Sequence, residues 1–334
     1  MGKYASSRNY GYGKKIAWAG KQALISFYGN GHFASVATHV RHWEKFSRWL
    51  HCVFNIGDAC EIDRIHVEAY AGMLRELVQE ESMKVSYAQN LLSGVNITLE
   101  ALRGDSCIRI DSPSKWVGRR CTKRVDPPTG YDWKTVLMLV EKLIELNMPR
   151  AAAVVWFARS FGARLRECVL ADIGQWNDQA KKLAKIDIRN GTKGGRGNEI
   201  ARWVTLSERG KQALAEAIAV QDQLSCGNNL LRPGESYDEL VNDRELNRAR
   251  QYLHEAGIKG YHDLRSAWAC ERYLELTGNV APVYSAATEL DPGSDRKARE
   301  ILALELGHDR IDVVAAYIGA RTLGNANCKL KEQI

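Results

Sequence analysis

The chain has 334 residues, 45% hydrophobic and 26% charged, the composition of an ordinary globular protein, and its length favours two domains over one. A formal net charge of +7 suits a polyanionic partner. The start of the chain lacks the apolar core of an export signal, no apolar run reaches the ~18 residues of a membrane span, and eight scattered cysteines without a C-x-x-C pair suggest neither a zinc site nor a disulfide framework, but reduced, mostly buried thiols of a cytoplasmic protein.

No Asp or Glu precedes Glu44, whereas Lys3, Arg8, Lys14, Lys15, Lys21 and Arg41 do, so residues 1–33 read as a basic arm, flexible or partly helical. From Ser35 a helical period begins. Val36, Val40, Trp43, Phe46 and Leu50 form one face, and Arg41, Lys45 and Arg48 form a basic stripe on another. Further helices are expected over 63–80, with Val67, Tyr70, Leu74 and Leu77 inward, and over 86–103, with Ala88, Leu92, Val95, Leu99 and Leu102 inward. Residues 34–112 thus form a small helical domain with a basic surface. The period stops at Ser112, and residues 113–130 carry Pro113, Gly118, Pro127, Pro128 and Gly130 among Lys115, Arg119, Arg120, Lys123 and Arg124. Such a segment is a domain linker by composition, charged to lie along a phosphate backbone.

The second domain, residues 131–322, opens with a helix capped by Asp132, whose Val136, Leu139, Val140, Leu143 and Ile144 face inward. Pro149 starts the next helix, which ends at Gly162. Two short β-type runs, 183–188 and 200–206, flank a glycine-rich connection that carries Lys193. Helices follow over 208–223 and 238–255, and another opens at Gly260-Tyr261-His262-Asp263-Leu264-Arg265. After a long excursion at 277–296 comes a helix over 296–306. A last amphipathic helix lies within Leu306–Gly319, and residues 323–334 form a tail.

Arg164, Lys193, His262, Arg265, His308 and Tyr317 each fall at the edge of an element, where a side chain can reach a ligand. Two arginines, a lysine, two histidines and a tyrosine, with no carboxylate pair, suit a negatively charged group that needs no metal, namely a phosphodiester. Tyr317 can attack it, and the guanidinium forks of Arg164 and Arg265 can clamp its oxygens. His262 and His308 can donate hydrogen bonds or move protons, and Lys193 can protonate the departing 5′ oxygen.

These residues lie in Gly162-Ala163-Arg164-Leu165-Arg166-Glu167, Thr192-Lys193-Gly194-Gly195, His262-Asp263-Leu264-Arg265, and Leu306-Gly307-His308 with Tyr317 nine positions on. In that order the four motifs resemble those of the tyrosine recombinases, the phage-integrase family of site-specific DNA recombinases. The resemblance implies a mainly α architecture: a helical core-binding domain and a mostly helical catalytic domain with a small antiparallel β-sheet, clamped around duplex DNA. It implies a covalent 3′-phosphotyrosine intermediate, no metal and no nucleotide cofactor. The implied partners are double-stranded DNA with an attachment or core site, three further copies in a homotetramer on synapsed DNA, and optionally an accessory DNA-bending factor. The protein would then work at the nucleoid, integrating or excising a mobile element, and the tail could dock on a neighbouring copy. Arg41, Lys45, Arg48, Lys115, Arg119, Arg120, Lys123 and Arg124 are the candidate DNA contacts. Two departures stand out: Arg265 and His308 lie further apart than the family pattern, and Phe161 stands where Thr is usual. The alternatives are a type IB topoisomerase, which uses a similar residue set on one duplex, and a DNA-binding regulator that has lost turnover.

Overall fold

The computed structural model describes residues 8–285 and 291–321. The described residues divide into two compact units, 8–121 and 122–321.

The first unit is helical: α1 (Ile16–Tyr28), α2 (Phe33–Phe54), α3 (Arg64–Gln79), α4 (Val85–Arg103) and the short α5 (Pro113–Val117). As the periodicity predicts, Trp43, Phe46 and Leu50 of α2, Val67, Tyr70 and Leu74 of α3, and Ala88, Leu92, Val95, Leu99 and Leu102 of α4 share one buried core. Arg41, Lys45 and Arg48 are exposed on α2. The expected arm is shorter than the sequence suggests. Helix α1 belongs to the core, burying Ala19, Ala23 and Leu24, and the Trp43 indole donates to the Ile16 carbonyl at 2.9 Å. Its buried face is built largely of small residues, which leave almost no hydrophobic period to detect. The linker also begins later than its composition implies, because Val117 of α5 is buried in the same core. Lys3 and the 323–334 tail lie outside the described residues.

The second unit contains α6 (Trp133–Glu145), α7 (Pro149–Phe161), α8 (Leu165–Val169), α9 (Ile173–Leu183), β1 (Lys185–Asp187), β2 (Trp203–Thr205), α10 (Glu208–Leu224), α11 (Glu245–Glu255), α12 (Tyr261–Thr277), α13 (Pro292–Glu305) and α14 (Ala315–Ile318). Asp132 caps α6 by accepting from the Thr135 N–H at 3.0 Å, and Val136, Leu139, Val140 and Leu143 are buried, although Ile144 is half exposed. The sheet is one antiparallel pair with Ile186 opposite Val204.

Helix α7 is the axis of this unit, and all of its residues are buried. A helix enclosed on every side must be apolar or internally paired. Accordingly, Arg150 pairs with Glu235 and Glu245, and Arg159 pairs with Glu271. Phe157 and Phe161, both fully buried, each contribute roughly 1.5–3 kcal/mol by leaving water. The helix ends at Gly162 in the left-handed region (φ 59°), where a Cβ would lie 2.2 Å from the Trp268 ring. That turn hands the chain to Arg164.

Three elements differ from expectation. The 238–255 helix is broken at Arg244 (φ −123°, ψ −134°), between a π-turn at Glu239–Asp243 and α11. Helix α13 begins at Pro292 rather than 296, because Asp291 caps it through the Ser294 N–H at 2.9 Å. The last helix is a 3₁₀ turn, Ile311–Val314, followed by the single turn of α14. Residues 286–290 of the excursion are outside the described residues. Among the described residues six cysteines are free thiols, of which only Cys168 and Cys270 are buried, against the expectation of mostly buried thiols. Among the described residues, no helix is long and apolar enough to cross a membrane.

Candidate active site

Five of the six predicted side chains come together within the second unit. Arg164 follows the α7 turn, His262 and Arg265 lie on the first turns of α12, His308 follows α13, and Tyr317 sits on α14. Tyr317 is 5% exposed. Its hydroxyl is 3.1 Å from His308 Nε2 and accepts from Arg265 Nε at 3.4 Å. The rings of His262 and Tyr317 stack at 5.5 Å, and the Arg265 guanidinium lies 5.2 Å from the tyrosine ring centre. Arg164 Nη2 reaches His308 Nε2 at 3.4 Å, closing the group.

Arg265 is fully buried, and three of its five N–H groups are used within the protein: Nε at the Tyr317 hydroxyl, and the Nη atoms at the carbonyls of Gly162 and Leu306. The motif ends at α7 and α13 are thereby joined through one guanidinium. Beneath the arginines lies Glu167, fully buried, whose carboxylate accepts from the Arg164 N–H (2.6 Å), from Arg164 Nη1 (2.7 Å) and from Arg202 Nη1 (2.7 Å), with Arg265 Nη1 at 3.8 Å. Burial by itself raises the Glu167 pKa, but the guanidinium groups of Arg202, Arg265 and Arg164 outweigh it and bring it down to about 2. Burial and the neighbouring Arg202 lower the Arg265 pKa to about 9. One carboxylate thus holds three cations while leaving the site positive.

Arg202 was not among the sequence candidates. It is buried, donating also to the carbonyls of Glu305 (2.7 Å) and Gly162 (3.3 Å). The available signal was an arginine at the entry to a short apolar strand, a position that must either face solvent or be paired.

Both histidines have lowered pKa values. Burial acts first on each; for His262 the next cause is Arg265, and for His308 Arg164 and Arg265 help bring the value down to about 4. Because arginine can only donate, the His308 Nε2 facing Arg164 carries a lone pair, and the Tyr317 hydroxyl can donate to it.

Lys193 is the sixth residue. It is exposed, on a 3₁₀ turn (Lys193–Asn198) that takes left-handed φ at Gly194 and Gly195 (70° and 72°). Arg196 of that turn pairs with Asp309, next to His308. A cavity of about 590 Å³ lies alongside, lined by Arg164, Lys193, Arg196, Arg202 and His308 among others, but not by Tyr317, Arg265 or His262. Lys193 therefore shares a cavity wall with part of the cluster and makes no direct contact with Tyr317.

The predicted DNA contacts fare unevenly as free cations. Arg119 and Arg120 are exposed, Lys115 is exposed with Asp111 at 3.4 Å, and Lys45 donates to the Tyr87 hydroxyl at 2.6 Å. Arg124 departs from the expectation that it lies along phosphates. It pairs with Asp263, donates through Nε to the Asp126 carbonyl at 2.8 Å, and its side chain is only 15% exposed. Asp263 also accepts from the Thr129 N–H at 2.6 Å, so this end of the linker is built into the start of α12. Among the described residues, no group of three or more His, Cys, Asp or Glu gathers as a metal would require.

Residues 129–271 match the sequence model of the integrase family. Among solved structures, a Tn1549 transposon integrase in complex with transposon right end DNA has a similar fold, with a TM-score of 0.59 at 12% identity over 95% of this chain and 98% of that one. The crystal structure of XerA recombinase aligns with a TM-score of 0.38 at 15% identity, over 93% and 96% of the two chains. No curated protein matches the chain in sequence.

Proposed function

From residues 129–271, which match the integrase family model, and the geometry around Tyr317, we propose that the chain is a site-specific DNA recombinase that cuts and rejoins duplex DNA through a covalent 3′-phosphotyrosine at Tyr317. The observation that carries the reading is the bracketing of one nearly buried hydroxyl by His308 Nε2 and Arg265 Nε, with Arg164 beside them. A buried tyrosine serving only as packing needs neither histidine nor guanidinium at its oxygen.

In the forward step the Tyr317 oxygen attacks a backbone phosphorus, forming the O–P bond as the P–O5′ bond breaks. The tyrosine proton passes to the neutral Nε2 of His308, for which a nearby lone pair is the requirement. Arg164, Arg265 and His262 meet the charge that grows on the non-bridging oxygens. Lys193 gives a proton to the departing 5′ oxygen, which requires its turn to move toward the reacting group. Attack by a 5′ hydroxyl from another strand reverses these transfers and completes the exchange. Four copies on two synapsed duplexes would make integration or excision of a mobile element the outcome. The exposed cations Arg41, Lys45, Arg48, Lys115, Arg119, Arg120 and Lys123 are the proposed phosphate contacts, with recognition of an attachment site on top of them.

The test uses a pool of randomised duplexes, each nicked near its centre, so that a cleaved strand loses a short fragment and the protein stays attached. Wild type should accumulate a covalent adduct on a selected subset, and Tyr317→Phe should form none while binding that subset nearly as well. An adduct on the Phe variant would overturn the assignment of the nucleophile. Adduct formation also separates an enzyme from a regulator that only binds.

A further inference from the structure

Helix α14 is a single turn, too short to hold its own geometry. Two of its carbonyls accept from backbone N–H groups outside the helix. Ala315 O accepts from the Arg124 N–H at 2.8 Å, and Ile318 O accepts from the Val283 N–H at 2.9 Å. The next carbonyl, that of Gly319, accepts from both Nη atoms of Arg299 at 3.2 Å each. Arg299 is itself 8% exposed, and its Nε donates to both oxygens of Asp295 at 3.0 Å. Asp295 in turn accepts from the Tyr273 hydroxyl at 2.6 Å. A chain of three side chains on α12 and α13 therefore ends on the backbone two residues beyond Tyr317.

The backbone at that point has no slack. Gly319 is in the left-handed region (φ 85°), and a Cβ there would lie 2.9 Å from the Val283 nitrogen. Val283 belongs to the 277–296 excursion, as do Asp291, which caps α13, and Asp295. A buried ion pair is a weak way to gain stability, because apolar residues of similar volume usually do as well. Its advantage is direction: two N–H groups converge on one oxygen and fix where the turn ends.

We infer that Arg299, held by Asp295 and Tyr273, is a positioning residue that sets the place of the Tyr317 hydroxyl, and that Val283, Asp291 and Asp295 of the segment after α12 serve this purpose. The inference rests on the reading of Tyr317 as the nucleophile. Arg299 reaches neither the reacting phosphate nor the hydroxyl; it acts through the peptide at Gly319. Displacing an attacking atom by about 1 Å costs up to ~100-fold in rate, even when the mutated residue is remote from the chemistry.

The experiment measures single-turnover adduct formation on a nicked duplex that wild type has selected, together with affinity for that duplex and hydrogen exchange of the 315–319 amides. Arg299→Lys, which keeps the charge but loses the fork, should leave affinity and melting temperature near wild type. Exchange should speed up at the amides and the adduct rate should fall ~100-fold. Tyr273→Phe removes one hydroxyl, should give a smaller fall in rate, and carries the test if the Lys variant does not fold. Wild-type adduct rates in the folded variants would overturn the positioning role while leaving the nucleophile intact. A fall that merely tracks the fraction unfolded would overturn it too. If wild type itself attaches to no duplex in the pool, the nucleophile assignment fails and this inference goes with it.

Discussion

His308 Nε2 lies 3.1 Å from the Tyr317 hydroxyl and 3.4 Å from Arg164 Nη2, so one ring nitrogen faces both a group that can give up a proton and a group that cannot take one. That geometry requires the neutral ring. Burial and the surrounding arginines enforce it, with the His308 pKa lowered to about 4. An unfolded histidine titrates near 6.5, so below that pH the unfolded chain takes up a proton that the folded one refuses.

The His308 contribution to stability is therefore complete above about pH 6.5 and is lost as the pH falls toward 4. Urea melts from pH 7.5 to 4.5 should show wild type losing stability faster than His308→Gln. Parallel curves would mean that His308 is charged in the folded protein.

Arg265 makes three directed bonds from one plane, to Gly162, Leu306 and Tyr317, and Arg164 reaches Glu167, Leu306 and His308. A lysine keeps the charge and loses the fork. Arg164→Lys and Arg265→Lys should each lose about 2.7–4 kcal/mol of transition-state stabilisation, the range for one preorganised donor. Single-turnover adduct rates decide this, and wild-type rates would remove both residues from the phosphate clamp.

Among the described residues, Glu167 is the only carboxylate that ion-pairs with Arg164, Arg202 and Arg265. Glu167→Gln leaves two fully or nearly buried guanidinium groups uncompensated and should cost about 3–5 kcal/mol of stability. For wild type, a folded pKa of about 2 against the ordinary 4.5 means this contribution is full above pH 4.5 and lost as the pH falls toward 2. Urea denaturation at neutral pH measures the first effect; a Gln variant as stable as wild type would contradict the account.

The linker arginines should separate by environment. Arg119 and Arg120 are exposed, whereas Arg124 is paired with Asp263. Replacing Arg119 and Arg120 with Ala should flatten the slope of log K against log salt by up to about 1.8, two contacts at 0.9 each, on cognate and scrambled duplexes alike. Arg124→Ala should leave that slope unchanged and instead lower the melting temperature, since it frees Asp263 beside His262. An unchanged slope in the double variant would take the linker off the DNA.

The residues that do the proposed chemistry were legible because they sit in short local patterns. Gly162 with Arg164, His262 with Arg265, and His308 with Tyr317 each fall within one turn or one short segment, where spacing along the chain is also spacing in space. Helices with large apolar residues at helical spacing, such as α2, α4 and α6, were legible for the same reason. Helix α1 was hidden because its buried face is made of Ala19, Gly20 and Ala23, which carry little hydrophobic signal but allow close packing.

What only the tertiary structure decided is which charges are spent internally. Arg124 and Arg119 look alike in a basic linker, yet one meets a buried carboxylate 139 residues away and the other faces water. Arg202, Glu167 and Arg299 likewise acquire their roles from partners on other elements. Composition and periodicity report how each residue relates to its near neighbours along the chain. An ion pair is set by distance and burial, and both of these are fixed only when α7, α12 and α13 pack together.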